Sequence, residues 1–162
     1  MQKKPQKYIS KEVALKKLQA YCAYQDRCHQ EVRKKLLDLG IYGDDLEEIV
    51  ADLIVDKFLD EERFARAYAR GKFRHKKWGR FKIRQHLKQK QISAYCLKKA
   101  MEEIEEEDYQ KTLEQLLQKK RRLLKVDNIY QEKQKLAVYA INKGYESPLV
   151  WETIHRLVKQ EN

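Results

Sequence analysis

The apolar positions of this chain recur with the period of a helix, and the pattern then repeats along the chain. Val32 with Leu36, and Leu46 with Val50 and Leu53, are spaced to share one helical face each. Sliding the chain along itself places Val32 on Ile83, Leu36 on Leu87, Ile41 on Ile92, Leu46 on Leu97, Val50 on Met101 and Leu53 on Ile104 without a gap. A weaker third copy matches Leu136, Ala140, Gly144, Val150, Ile154 and Leu157 to Val32, Leu36, Gly40, Leu46, Val50 and Leu53. Ahead of each matched pair lies a further amphipathic stretch, around Val13–Tyr24, Phe64–Phe73 and Leu113–Leu124. The pattern predicts an all-α protein of three tandem three-helix bundle repeats, about fifty residues each, forming an elongated molecule. The units are expected at residues 8–58, 59–107 and 108–162.

Local chemistry marks the helix ends. Gly40 and Gly144 stand just past the second helix of units one and three, where a left-handed residue closes a helix without a Cβ penalty. Unit two has Gln91 there, which leaves that turn the least defined. Ser147–Pro148 reads as an N-cap followed by proline at the first helical position. Asn128 with Gln131 fits a capping box, and Asp60 or Glu61 can cap the helix carrying Phe64 and Tyr68.

Charge changes the picture more than length does. The 162 residues hold 36 Lys+Arg against 25 Asp+Glu, a net charge of +11, which draws polyanions toward the chain. Ten of those bases fall between Arg70 and Lys90 with no acid among them: Arg70, Lys72, Arg74, Lys76, Lys77, Arg80, Lys82, Arg84, Lys88 and Lys90. Phe73, Trp78 and Phe81 are interleaved, with Phe81 as readily core as surface. Arg80, Arg84 and Lys88 share a helical face opposite Ile83 and Leu87. Guanidinium forks suit phosphates or carboxylates, and an open ring can stack on an unpaired base. A second basic cluster, Lys119, Lys120, Arg121, Arg122 and Lys125, ends the seventh predicted helix, where the macrodipole accounts for part of it. Asp44–Glu62 and Glu102–Asp108 are acidic, so a basic track alternates with acidic patches.

No catalytic constellation is evident, and the chain is read as a non-enzyme that needs no cofactor or metal. Its five glycines are scattered and form no phosphate-cradling loop. His29, His75, His86 and His155 have no metal-ligand spacing with one another or with Cys22, Cys28 and Cys96. Cys28 and His29 are expected as an exposed pair opening the second helix. No apolar run approaches the roughly 20 residues of a membrane span, and Met1–Ser10 is polar and basic, unlike a leader. A cytoplasmic monomer with reduced thiols is expected.

The run Phe58–Leu59–Asp60–Glu61–Glu62–Arg63–Phe64–Ala65–Arg66–Ala67–Tyr68 resembles the signature of the RecX family of bacterial recombination regulators. So do Trp78–Gly79, Ile83, Leu87 and Lys90–Gln91–Ile92 after it, and Ala14–Leu15, Arg33–Lys34–Lys35–Leu36 and Gly40 before it. The family usually has glycine where Gln91 stands. The resemblance implies a protein that binds the RecA recombinase and its filament on single-stranded DNA. It implies restraint of RecA's ATPase, strand exchange and co-protease activities in recombination, DNA repair and the SOS response, and weaker direct contact with single- or double-stranded DNA. On that reading Arg70, Lys72, Arg74, Lys76, Lys77, Arg80, Arg84, Lys88, Lys119, Lys120, Arg121 and Arg122 are the candidate contacts. Asp60, Glu61, Arg63, Phe64, Tyr68, Gly79, Ile83 and Leu87 are signature positions read as structural. Two other readings stay open: a general DNA-binding helical module, and a repeat scaffold that binds an acidic protein.

Overall fold

The computed structural model describes residues 9–159; the first expected unit's outer end at residue 8 and the third's at 160–162 lie outside them, as does most of Met1–Ser10. Among the described residues there are nine helices and no strand. They are α1 (Lys11–Tyr24), α2 (His29–Asp38), α3 (Gly43–Val55), α4 (Glu61–Lys76), α5 (Arg80–Gln89), α6 (Ala94–Met101), α7 (Glu106–Leu123), α8 (Ile129–Asn142) and α9 (Ser147–Lys159). The molecule exposes 11222 Å², against about 8,600 Å² for a compact monomer of its 19.6 kDa, as an elongated chain of bundles should.

Side-chain caps set several helix starts. Ser10, Asp60, Ser93 and Asn128 each accept a bond from a first-turn amide of α1, α4, α6 and α8. The helix starting at Ser147 begins one residue earlier than expected. Glu146 carbonyl takes the first helical bond, from Val150 N, so Glu146 is the cap, and Pro148, with no amide proton to satisfy, still sits in the first turn. α7 likewise starts ahead of the expected division at 107/108, its first turn filled by Glu106, Glu107 and Asp108, which suit the positive end of the helix.

The same closing turn follows the second helix of every unit. Ile41, Ile92 and Tyr145 donate back to Leu36, Leu87 and Ala140 carbonyls, with Gly40 (φ 81°), Gln91 (φ 60°) and Gly144 (φ 102°) in the left-handed region. Gln91 therefore adopts the glycine conformation, and the missing glycine does not change the turn.

The repeats bury two cores and not three. Ala14, Leu18, Val32, Leu36, Leu46, Ile49, Val50 and Leu53 close the first unit on itself. Units two and three share one cluster that runs from Phe64 and Phe73 through Ile83, Leu87, Tyr109 and Leu113 to Tyr145, Ile154 and Leu157. Cys28, expected at the surface, is fully buried in that second cluster; as the residue preceding α2 it carries the first unit onto the second. Asp26 pairs with Arg63 at 2.6 Å and Glu31 with Lys90 at 3.6 Å across the same joint.

Candidate functional site

The signature residues are placed as structural parts. Asp60 accepts from Arg63 N at 2.9 Å and caps α4. Glu61 reaches the start of α6, accepting from Ser93 N at 3.2 Å. Arg63 donates to the Lys57 and Phe58 carbonyls, both at 3.1 Å, and so satisfies the chain as it leaves α3. Phe64 is buried with the half-buried Tyr68 packed on it, ring centroids 5.8 Å apart, and Ile83 and Leu87 are fully buried.

Gly79 belongs to the joint between units two and three. Its amide donates to Lys143 carbonyl at 2.8 Å, and Phe81 N donates to Gly144 carbonyl at 3.0 Å. Arg80 N donates to Tyr109 Oη at 3.0 Å. Amides at the start of α5 are thus met by the carbonyls of Lys143 and Gly144 in the turn that closes α8, and by the Tyr109 hydroxyl. The approach leaves no room for side chains: a Cβ on Gly79 would stand 2.2 Å from Gly144 C, and one on Gly144 would stand 2.3 Å from Lys82 Cβ.

Around that contact sits a part-buried polar cluster. Tyr109, fully buried, donates to Glu146 Oε1 at 2.5 Å. Arg80 lies 3.8 Å over the Tyr109 ring and pairs with Glu106 and Glu146. Burial, then the bond to Glu146, pushes the Tyr109 hydroxyl far above its ordinary range, so it stays protonated and donates. Tyr145 Oη donates to Lys77 carbonyl at 3.0 Å, and Lys143 Nζ to Lys76 carbonyl at 3.3 Å, so unit three also caps the end of α4.

These contacts divide the twelve candidate contact residues. Arg80 is turned inward, its side chain 19 % exposed, and does not line an outer face with Arg84 and Lys88. Arg70 bonds Glu103 at 3.1 Å beside Arg66, which holds Glu62, Glu102 and Glu103. Arg121 is paired with Glu132. Lys72 stands over Tyr68 and Trp78, 5.4 and 4.9 Å from the ring centres. Lys120 stands 5.0 Å over Tyr139. Arg74, Lys76, Lys77, Lys88, Lys119 and Arg122 are exposed and Arg84 half-buried, none in an ion pair among the described residues.

What remains open is a basic surface over the end of α4, the turn that follows and the outer side of α5. Phe81, 59 % exposed, is its free ring. Trp78 is occupied: Lys72, Lys82 at 4.6 Å and His86 at 4.6 Å surround it. Burial, then the neighbouring Lys82, Lys72 and Lys90, push the His86 imidazole below its usual pKa, which disfavours a further positive charge there. Lys82, omitted from the candidate set, completes the patch; its place in the unbroken basic run was the available signal. Among the described residues no group of His, Cys, Asp and Glu could hold a metal ion, and no helix is long and apolar enough to cross a membrane.

Family models describing the second and third three-helix domains of RecX match residues 60–101 and 106–154. A regulatory protein RecX of Prosthecochloris aestuarii is 29 % identical over 145 residues, 90 % of this chain and 93 % of that protein. One from Salmonella paratyphi A is 31 % identical over 133 residues, 76 % of this chain and 78 % of that protein. One from Bacillus cytotoxicus is 25 % identical, with this chain spanning 53 % of its length. Among solved structures, RecX from Lactobacillus salivarius superposes with a TM-score of 0.83 at 22 % identity, over 91 % of this chain and 96 % of that one. A further structure of a regulatory protein RecX gives 0.81 at 25 % identity, over 90 % and 71 %.

Proposed function

This chain belongs to the RecX family of regulatory proteins, and we propose from that membership that it binds the RecA recombinase and its filament on single-stranded DNA and restrains their activity. Restraint would extend to the filament's ATPase, strand exchange and co-protease activities. The observation that carries the reading is the basic surface of unit two: Arg74, Lys76 and Lys77 at the end of α4, and Arg84 and Lys88 on α5, the helix that also carries the open Phe81 ring, are held in no ion pair among the described residues. Held on a joint fixed by backbone hydrogen bonds, such a surface presents its charges at constant spacing, which suits a partner that repeats along a filament axis.

Its mode of action is non-catalytic. Cations at the surface neutralise phosphates or carboxylates, and Phe81 offers a face to an unpaired base. Arg80, Arg70 and Arg121 take no part, because their guanidinium groups serve acids of the same chain. The single-stranded-DNA-dependent ATPase of RecA from the same organism, titrated with the native protein, tests the reading. Inhibition is expected at far fewer copies than one per nucleotide, with no effect on an unrelated DNA-dependent ATPase. Unchanged RecA turnover at excess protein would contradict it.

A further inference from the structure

A groove of about 530 Å³ runs between the end of α7 and the outer side of α8 in unit three. Leu124, Val138 and Tyr139 form its apolar lining, and Lys120, Gln134 and Lys135 complete it. α8 carries two apolar stripes. Leu136, Ala137 and Ala140 face the shared core, while Val138, 56 % exposed, and Ile141 face solvent. Leu123, the last residue of α7, is 69 % exposed. Lys119, Arg122 and Lys125 crowd the same end of α7, and with Lys120 and Lys135 they make no ion pair among the described residues. No acid lines the groove.

We infer that this groove is a docking site for an acidic amphipathic segment of a protein partner, one that places apolar side chains on the Leu124–Val138 floor and carboxylates against Lys120 and Lys135. Charge complementarity selects that occupant. A nucleic-acid backbone would meet the lysines but gain nothing from Leu123, Leu124 and Val138, and the Tyr139 ring is already covered by Lys120. A second copy of this chain is disfavoured by its net charge of +11. The chain's own acid-rich run at 102–108 is also committed: Ile104 is buried, and Glu103 and Glu106 hold Arg66, Arg70 and Arg80. The inference assigns Lys119, Lys120 and Arg122, expected from the sequence as contacts to DNA or RecA, to the rim of a peptide groove. It rests on the proposed function only in requiring a protein partner.

Fluorescence anisotropy of the full-length protein with a labelled helical peptide, Leu on one face and Glu on the other, tests it. Val138→Ser and the double variant Lys120→Gln/Lys135→Gln should each weaken binding about tenfold. A peptide with Lys in place of Glu should not bind. None of the three positions is in the core, Val138 and Lys135 being exposed and Lys120 half-buried, and matched thermal melts establish that the fold is retained. Peptide binding indifferent to Val138→Ser would overturn the inference. So would a labelled single-stranded oligonucleotide that depends on Lys120 and Lys135 while the peptide does not, or concentration-dependent self-association lost in Val138→Ser. Because the readout contains no RecA, loss of the RecA reading and loss of the groove reading are separate results.

Discussion

Replacing Tyr109 by Phe removes one oxygen from the joint between units two and three and little else. The ring keeps its place against Phe73 and Tyr145, with centroids at 5.9 and 4.9 Å, and Arg80 stays over its face. No cavity opens. Two hydrogen bonds disappear: the 2.5 Å bond to the Glu146 carboxylate and the 3.0 Å bond from Arg80 N. The first is charge-assisted, worth about 1.5–3 kcal/mol; the second leaves a part-buried helix-start amide unpaired, which costs about 1–3 kcal/mol. Glu146 keeps its pair with Arg80, so a total of about 2–4 kcal/mol is expected. At about 2–4 °C per kcal/mol for a chain of this size, Tm should fall by roughly 4–16 °C. Differential scanning calorimetry of Tyr109→Phe, Glu146→Gln and the double variant gives both the loss and the coupling, which should reach about 1 kcal/mol or more for groups in direct contact. A melt of Tyr109→Phe within about 1 °C of native, or strict additivity of the two changes, would refute the joint as described.

Other consequences follow from single features. Gly79→Ala and Gly144→Ala each force a Cβ into backbone or side-chain atoms at 2.2–2.3 Å and should cost about 3 kcal/mol in chemical denaturation, whereas Gly71→Ala, with nothing within 4 Å, should be neutral or stabilising. Gln91→Gly relieves a non-glycine residue at φ 60° and should raise stability by about 0.5–1 kcal/mol in the same assay. The Glu106 carboxyl is held below its usual range by bonds from Gln110 and Arg80, and that of Glu103 by bonds from Arg66 and Arg70, which outweigh its own desolvation. The unfolded chain binds their protons first, so this stability is complete above the ordinary carboxylate range and is lost as pH falls through it; Glu106→Gln should flatten the acid limb of Tm against pH.

The three helical trios were legible because every buried stripe obeys the helical period and the stripes repeat. The caps at Asp60 and Asn128 and the glycine turns at Gly40 and Gly144 were legible for a similar reason: each is a matter of neighbours in the chain. The joint was not. Arg80 and Glu146, or Gly79 and Gly144, are brought together only by the stacking of one unit on the next, and nothing local marks Arg80 as different from Arg84. Charge density marked the basic segment, but which of its charges are already consumed depends on distant acids such as Glu103. The exposure of Phe81 is also written in the helical period. The residue lies about 200° around the helix from Ile83, which with Leu87 defines the buried side, so its ring faces solvent. Cys28 misled because the residue itself, just ahead of α2, packs into the core of the neighbouring units, a contact no pattern within the first unit encodes.

The central claim is that the open cations beside Phe81, and not the internally paired arginines, carry the contact. The direct measurement is inhibition of the single-stranded-DNA-dependent RecA ATPase by two variants of matched charge change and checked fold. One reverses Lys77, Arg84 and Lys88 to Glu; the other reverses Lys16, Lys17 and Lys34 on the exposed surface of unit one. The account predicts that the first loses inhibition by at least about tenfold in effective concentration while the second keeps it. Equal loss in both would mean that only net charge matters, and full inhibition by the first would place the contact on another surface.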